Sequence, residues 1–189
     1  MRRKAALTAV IMMMGMVSCS HNQSRSTSPP MTSDPTAEIR RLDQSLTRAK
    51  LKGIDVYSPV NYSKSVLALR EARDRWTDNK SAESILEKVA EGNTYLLRSQ
   101  ETAEVSVASL GDVERARRGA ILAGAPQRSP EEFETAEREL IDVTRKIEKG
   151  NVKSATEKKT ELEAKYRTLQ RSSLADARAF RHMHPHRQG

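Results

Sequence analysis

Apolar residues recur at alternating spacings of three and four along most of the chain from residue 35 onward. This spacing places them on one side of a helix, whereas a half-buried strand requires alternation at every second position. Gly, Pro, Asn and Asp interrupt the pattern where helices end and the chain turns. The pattern predicts five helices joined as antiparallel hairpins, at residues 35–52, 60–77, 81–123, 131–149 and 152–179.

The predicted core is narrow, because hydrophobic residues make up 37% of the chain and aromatic residues only 4%. This supply favours an elongated all-α bundle built from Ala, Leu, Val and Ile. The apolar stripes of the second and fourth predicted helices are Tyr62, Val66, Leu69, Trp76 and Phe133, Ala136, Leu140, Val143, Ile147. Those of the third and fifth are Ala82, Leu86, Val89, Asn93, Leu96, Gln100, Ala103, Val107, Leu110 and Ala155, Lys159, Leu162, Tyr166, Leu169, Ala177, Phe180.

The long third helix carries two polar residues in its stripe and one glycine near its middle. Asn93 and Gln100 either fix the register of the bundle or face solvent where the bundle is thin, and the pattern leaves both readings open. From Ala82 to Leu110 an unbroken helix would extend about 43 Å at 1.5 Å per residue. A kink is expected at Gly111.

Shifting the chain by 71 residues against itself aligns residues 49–62 with residues 120–133. Average residue usage would give about one or two identities over residues 49–69. The observed identities are Ala49/Ala120, Leu51/Leu122, Gly53/Gly124, Ser58/Ser129, Pro59/Pro130 and Leu69/Leu140. The chain is therefore predicted to contain two copies of a helical repeat, at about residues 34–104 and 105–180, within one domain of residues 34–181.

The repeated positions are those that a turn between two helices requires. Gly53 and Gly124 are expected to take the left-handed conformation that ends a helix, and Pro59 suits the first turn of the next helix. Ser58 and Ser129 are expected to cap the helices that follow. In the second copy Glu132 lies three residues after Ser129, which predicts a capping box worth about 1 kcal/mol.

The first 33 residues carry a targeting signal and no folding pattern. Residues 1–18 combine the basic residues Arg2, Arg3 and Lys4 with a short apolar run, which is typical of a secretory signal peptide and too short for a permanent membrane span. Residues 19–33 are rich in Ser, Thr, Pro and Asn, so they are predicted to form a flexible tether.

Cys19 is the only cysteine and follows Met16, Val17 and Ser18, a sequence that resembles the bacterial lipobox. The resemblance implies lipidation of Cys19, which would anchor the chain to a bilayer. Met16 replaces the usual Leu, so an ordinary signal-peptidase site that removes Cys19 is the alternative. Ser20 is not the Asp that commonly retains lipoproteins at the inner membrane, and this favours the periplasmic face of the outer membrane.

Residues 123–166, with a Gly-Ala pair, a Pro-started helix, a short turn and an Ala-patterned second helix, resemble a helical domain family of unknown molecular function. That family occurs in bacterial envelope lipoproteins, often ahead of an OmpA-like peptidoglycan-binding domain. The first copy resembles it more loosely, since Ile54 rather than Ala follows Gly53. No catalytic residues come with the resemblance, and no segment resembles the OmpA-like domain.

The charge balance gives little specific information about partners. Removal of Arg2, Arg3 and Lys4 with a signal peptide lowers the formal net charge from +8 to +5. Acidic and basic residues are mixed along the helices, which is typical of a solvated surface rather than of a nucleic-acid site. Nucleic acid is therefore not an expected partner, and attraction to anionic lipid or cell-wall polymer would be nonspecific.

Candidate chemistry is sparse. Between Asn22 and Arg181 there is no Cys and no His, so the usual general bases, thiol nucleophiles and zinc ligands are missing from the predicted domain. We expect no enzymatic activity and no cofactor. His182, His184 and His186 are weak metal-binding candidates, and the favoured interpretation of residues 182–189 is a disordered basic tail.

These features together predict a non-enzymatic, lipid-anchored envelope lipoprotein that serves as a helical spacer or interaction scaffold. Its expected partners are the bilayer, through Cys19, and either another envelope protein or further copies of the same chain. The alternative is a binding module for cell-wall polymer or a small ligand, although no residue points specifically to peptidoglycan.

Overall fold

The computed structural model describes residues 28–183, with side chains up to residue 180. Within residues 28–183 the chain forms helices and no strand, so the predicted all-α class is confirmed. The helices are α1 Pro35–Leu51, α2 Ile54–Tyr57, α3 Pro59–Thr77, α4 Ala82–Ser109, α5 Gly111–Leu122, α6 Ala125–Arg128, α7 Pro130–Glu148, α8 Val152–Thr156 and α9 Lys159–Met183. None of these helices is both long enough and apolar enough to cross a membrane.

Two turns of the chain have the same backbone course at a separation of 71 residues. The bounds of α2 and α6, and those of α3 and α7, differ by 71 residues at both ends. Gly53 (φ 74°) and Gly124 (φ 84°) are both left-handed, as expected for residues that end a helix. The sequence had predicted plain loops here, but each contains a one-turn helix before the next proline.

The predicted helix bounds are wrong at two other points. The third predicted helix is interrupted at Leu110 (φ −114°, ψ 25°), one residue before the expected kink at Gly111. Leu110 is fully buried, so the interruption lies where its side chain enters the core. The fifth predicted helix is divided into α8 and α9, which leaves α8 as a short helix in the turn after α7.

The predicted serine caps are also wrong. Neither Ser58 nor Ser129 caps the following helix with its side chain, and Glu132 makes no capping box. Ser58 is fully buried, and its hydroxyl donates instead to the carboxylate of Glu148, 90 residues away. The serine at this turn therefore takes part in tertiary packing rather than in local capping.

The first half of the fold, α1 to α4, is organised around the close antiparallel pair α3 and α4, with α1 against both. Gly92 allows this approach: the Ser65 hydroxyl donates to the Gly92 carbonyl at 2.7 Å. A Cβ at Gly92 would lie 2.5 Å from Leu42 Cδ2. The small residue thus brings α1, α3 and α4 together.

The second half, α5 to α9, packs differently. Here α9 lies along α5 rather than along α7, at a point where Gly119 faces the side chain of Gln170. A Cβ at Gly119 would lie 2.8 Å from the Gln170 oxygen. The residue 71 positions earlier is Arg48, which is exposed on α1. The two halves therefore use glycine at different helix contacts.

The apolar stripe of α7 is largely as predicted, whereas that of α3 is rotated. Ala136, Leu140, Val143 and Ile147 are all buried. On α3 the buried set is Pro59, Ser65, Ala68, Leu69 and Ala72, while Val66 and Trp76 are exposed. Elsewhere Ala82, Val107 and Phe180 are exposed, and Asn93, Gln100, Lys159 and Ala177 are half-buried.

Candidate functional site

The two halves meet where the carboxyl-terminal part of α7 packs on α2 and on the start of α3. Thr144 is fully buried, and its hydroxyl donates to the Val56 carbonyl at 2.7 Å. Ile147 is 5% exposed and lies in one core cluster with Val56 and Tyr57. We call Ile141, Thr144, Ile147 and Glu148 the α7 face, since all four lie on the side of α7 directed at the first half.

Glu148, the last residue of α7, caps the amino terminus of α3. Its carboxylate accepts hydrogen bonds from the Val60 amide at 2.7 Å and the Asn61 amide at 3.1 Å. The Ser58 hydroxyl donates to it at 2.5 Å and the Asn61 side-chain amide at 3.0 Å. A negative charge at this position is favourable, because the first amides of a helix lack intrahelical acceptors and carry partial positive charge.

A charged network lies beneath the junction. Arg117 on α5 donates to Glu137 on α7 through two hydrogen bonds of 2.7 Å, and the Tyr166 hydroxyl donates to the same carboxylate at 2.7 Å. Burial by itself would lower the pKa of Arg117, but the hydrogen bonds and charge of Glu137 outweigh it and raise the pKa above its usual value. Burial, reinforced by Glu137, raises the pKa of Tyr166. Both tyrosine and arginine therefore keep their protons at neutral pH.

Tyr57 adjoins this network. The Arg117 guanidinium lies 6.0 Å from the centroid of the Tyr57 ring. The Tyr57 side chain is 5% exposed, and its hydroxyl has no hydrogen-bond partner among the described residues. Burial raises the pKa of Tyr57 to about 12, against the opposing effect of the Arg117 charge. The arrangement is that of a buried structural network, with the tyrosines held neutral.

The largest groove on the described part of the chain lies between α7 and α9 and has a volume of about 840 Å³. It begins at the amino terminus of α7, and Ala136, Ala164 and Leu169 contribute apolar surface. Its other lining residues are Ser129, Glu131, Glu132, Thr135, Glu161, Lys165, Thr168 and Ser172. We call this cavity the α7 groove.

The α7 groove exists because the second hairpin is open where the first is closed. Ser65 on α3 contacts Gly92 directly, whereas Ala136, 71 residues later, lines the groove across from Lys165. Lys165 binds Glu139 at 2.6 Å and Glu161 at 3.2 Å, so a charged cluster occupies the space between the helices. Glu131 and Glu132 at the groove entrance are exposed, and within residues 28–180 they make no ion pair.

A second exposed surface lies on α3. Arg70, Arg73, Trp76 and Thr77 occupy the positions 71 residues before those of the α7 face, and we call them the α3 face. Trp76 is 52% exposed, and the Arg70 and Arg73 side chains are 79% and 51% exposed. The same helical positions are thus buried against the first half in α7 and open to solvent in α3.

The residues predicted from sequence to carry chemistry lie elsewhere. Cys19, residues 1–27, His184 and His186 are outside the described residues, and the side chain of His182 is not described either. Lipidation and metal binding therefore stay predictions. Between residues 28 and 183 no group of three metal-ligating side chains comes together.

The comparisons with known proteins give no family. No family model, curated protein or solved structure matches the chain significantly. The resemblance of residues 123–166 to an envelope domain family therefore stays a prediction.

Sequence reasoning missed Glu148, Glu137 and Arg117, since a carboxylate near a helix end reads as a solvated charge. One signal was present. Glu137 and Glu148 occupy positions at which the first copy has Val66 and Thr77, so acidic residues are gained on one side of α7. Only the packing of α7 against the other half shows what these side chains contact.

Proposed function

We propose that this chain is a non-enzymatic, lipid-anchored lipoprotein of the bacterial cell envelope that serves as a helical scaffold for another protein. The observation that carries the scaffold function is the open α7 groove, together with the exposed α3 face. A monomeric spacer would need neither surface. Protein-binding sites are typically concave or contain exposed aromatic and arginine residues, and these two surfaces have those features.

The anchor rests on the sequence. Cys19 follows a signal-like segment, and lipidation would leave residues 20–33 to separate the helices from the bilayer. The non-enzymatic proposal rests on the lack of Cys and His between Asn22 and Arg181. The absence of an Asp at position 20 supports the outer membrane over the inner membrane.

The anchor is tested by intact mass spectrometry of the membrane-extracted protein, comparing the wild type with Cys19→Ala. The expected mass corresponds to a chain that begins at Cys19 and carries acyl groups, and the substitution removes these groups. An unmodified chain that begins at another residue would contradict the anchor while leaving the scaffold function to be tested separately.

The scaffold is tested by placing a photo-crosslinking amino acid at Thr168, which lines the α7 groove, in cells that express the full chain. The control position is Arg167, which is the adjacent residue on α9, exposed and outside the groove lining. A protein adduct from position 168 and none from position 167 supports the scaffold. Adducts confined to glycan would instead support the binding of cell-wall polymer, and no adduct at either position would contradict both functions.

A further inference from the structure

We infer that the partner of the α7 groove is a second copy of this chain, which inserts its α3 face so that the molecules associate head to tail. The inference rests on the proposed scaffold function, for which it supplies the partner. The two surfaces involved are the α3 face of one molecule, Arg70, Arg73, Trp76 and Thr77, and the groove entrance of the next, Ser129, Glu131 and Glu132.

The template for this contact is present inside each molecule. The α7 face packs on Ser58, Val60 and Asn61 at the start of α3, mainly through Glu148. Adding 71 to each of these three positions gives Ser129, Glu131 and Glu132, which line the entrance of the α7 groove. Each molecule therefore has one such junction filled by its own second half and an equivalent surface left open.

The other side of the template is open in the same way. Subtracting 71 from the α7 face gives the α3 face, whose Trp76 replaces the buried Ile147. A repeat that buries one face on its neighbour leaves a donor surface at one end and an acceptor surface at the other. A second copy supplies both missing contacts at once.

The charges of the two open surfaces are complementary. At the internal junction the anionic Glu148 binds backbone amides, but at the groove entrance two carboxylates, Glu131 and Glu132, stand beside the corresponding amides. The α3 face has lost the carboxylate, because Thr77 takes its place, and has gained Arg70 and Arg73. Arg73 is 2.9 Å from Asp43 and Arg70 is 4.0 Å from Asp74, and both guanidinium groups stay accessible.

Trp76 is the apolar anchor of the inferred contact. It is the only tryptophan of the chain. Tryptophan and arginine are enriched among the residues that dominate binding free energy at protein interfaces. Because donor and acceptor are different surfaces, the contact is heterologous, and successive copies add in one direction unless the rotation closes a ring.

The first experiment maps the contact in cells that express the full chain. A photo-crosslinking amino acid is placed at Thr135, inside the α7 groove, with the adjacent exposed residue Glu134 as the control position. The expected product from position 135 is an adduct of twice the chain mass whose crosslinked peptide lies within residues 59–77. An adduct of that mass through any other peptide, or one containing a different protein, would overturn the inference.

The second experiment uses charge reversal on separate copies. In cells that express one form of the chain, Glu131→Arg with Glu132→Arg, or Arg70→Glu with Arg73→Glu, is expected to reduce the dimer adduct at least tenfold. Carrying both pairs on every chain is expected to restore it, because the reversed charges again attract. Circular dichroism melts of each variant show whether a loss of adduct reflects unfolding.

A third measurement separates the contact from a closed dimer. A chain with only Trp76→Asp keeps its groove, and a chain with only the reversed groove charges keeps its α3 face. Each is expected to lose self-association alone, whereas a mixture is expected to form a one-to-one complex by sedimentation velocity. Leu67→Asp, at a residue of α3 with 53% exposure, is the matched control and is expected to self-associate like the wild type. Failure of the mixture to associate overturns the head-to-tail contact.

The outcomes separate this inference from the proposed function. If position 135 crosslinks to a different protein, the scaffold function stands and self-association is overturned. If the full chain stays monomeric at all concentrations and no groove position gives an adduct, both fail.

Discussion

The two halves of the molecule contain the same turn, with a left-handed glycine, a one-turn helix, a serine and a proline, yet they differ in what covers the helix that follows. In the first half the amino terminus of α3 is capped by Glu148 from the other half, and α3 lies against α4. In the second half the amino terminus of α7 opens into the α7 groove. The turn is a local property of the chain, whereas its covering depends on what packs against it.

The difference between the halves arises from a few residues that set how closely the helices approach. Gly92 brings α3 onto α4, and Gly119 brings α9 onto α5. Since α9 cannot lie closely along both α5 and α7, its packing on α5 leaves a space beside α7. A repeat can therefore keep its turns while changing its helix pairs, and the surface exposed by that change becomes available for binding.

The largest expected effect compares equivalent positions of the two halves. Ile147→Ala is expected to lower the free energy of unfolding by about 2–5 kcal/mol, because it removes a buried side chain from the core that joins the halves. Trp76→Ala, 71 residues earlier, is expected to cost about 1 kcal/mol or less, since Trp76 is half exposed. Urea unfolding of both variants measures the difference, and equal costs would contradict the proposed asymmetry.

Alkaline pH should act through Tyr57, whose counterpart in the second half is the exposed Arg128. The pKa of Tyr57 is raised to about 12 in the folded state, while the unfolded state releases the proton near pH 10. The stabilisation is therefore fully present below pH 10 and is lost as the pH rises to about 12, by up to about 2.7 kcal/mol. Tyr57→Phe is expected to reduce this loss in urea unfolding at pH 9 to 12, and an unchanged pH dependence would exclude Tyr57 as its source.

The close helix pair of the first half is tested at Gly92. Gly92→Ala places a Cβ 2.5 Å from Leu42 Cδ2, whereas Gly111→Ala places one 3.6 Å from Arg115, an ordinary contact distance. Overpacking of a buried site typically costs about 1–3 kcal/mol, offset by about 1 kcal/mol of helix propensity. Gly92→Ala is expected to be less stable than Gly111→Ala by about 1–2 kcal/mol in thermal melts. Equal stability would show that Leu42 moves aside freely.

The smallest effect concerns the cap that joins the halves. Glu148→Gln keeps the shape of the side chain but removes the charge that accepts the Val60 and Asn61 amides, and it is expected to cost about 1–2 kcal/mol. Thr77→Ala, at the equivalent position of α3, is expected to change stability by about 0.5 kcal/mol or less. The two variants are compared by urea unfolding, and a cost at Thr77 equal to that at Glu148 would contradict the difference between the ends of α3 and α7.

The sequence alone determined the helical class and the position of most turns, because these depend on interactions within a few residues. The spacing of Ala136, Leu140, Val143 and Ile147 predicted the buried side of α7, and Gly53 and Gly124 predicted the helix ends. Sequence also identified Cys19 and the histidine tail as the candidate chemistry, which lies almost wholly outside the described residues.

Only the tertiary structure decided which side of α3 is buried, what Glu148 binds and where the α7 groove lies. Trp76 and Ile147 occupy equivalent positions with similar hydrophobicity, and one is half exposed while the other is buried. Ser58 and Ser129 are identical residues in identical turns, and only Ser58 meets a carboxylate. Burial and long-range hydrogen bonds depend on residues tens of positions away, so local pattern determined the helices and helix packing determined the surfaces that remain for a partner.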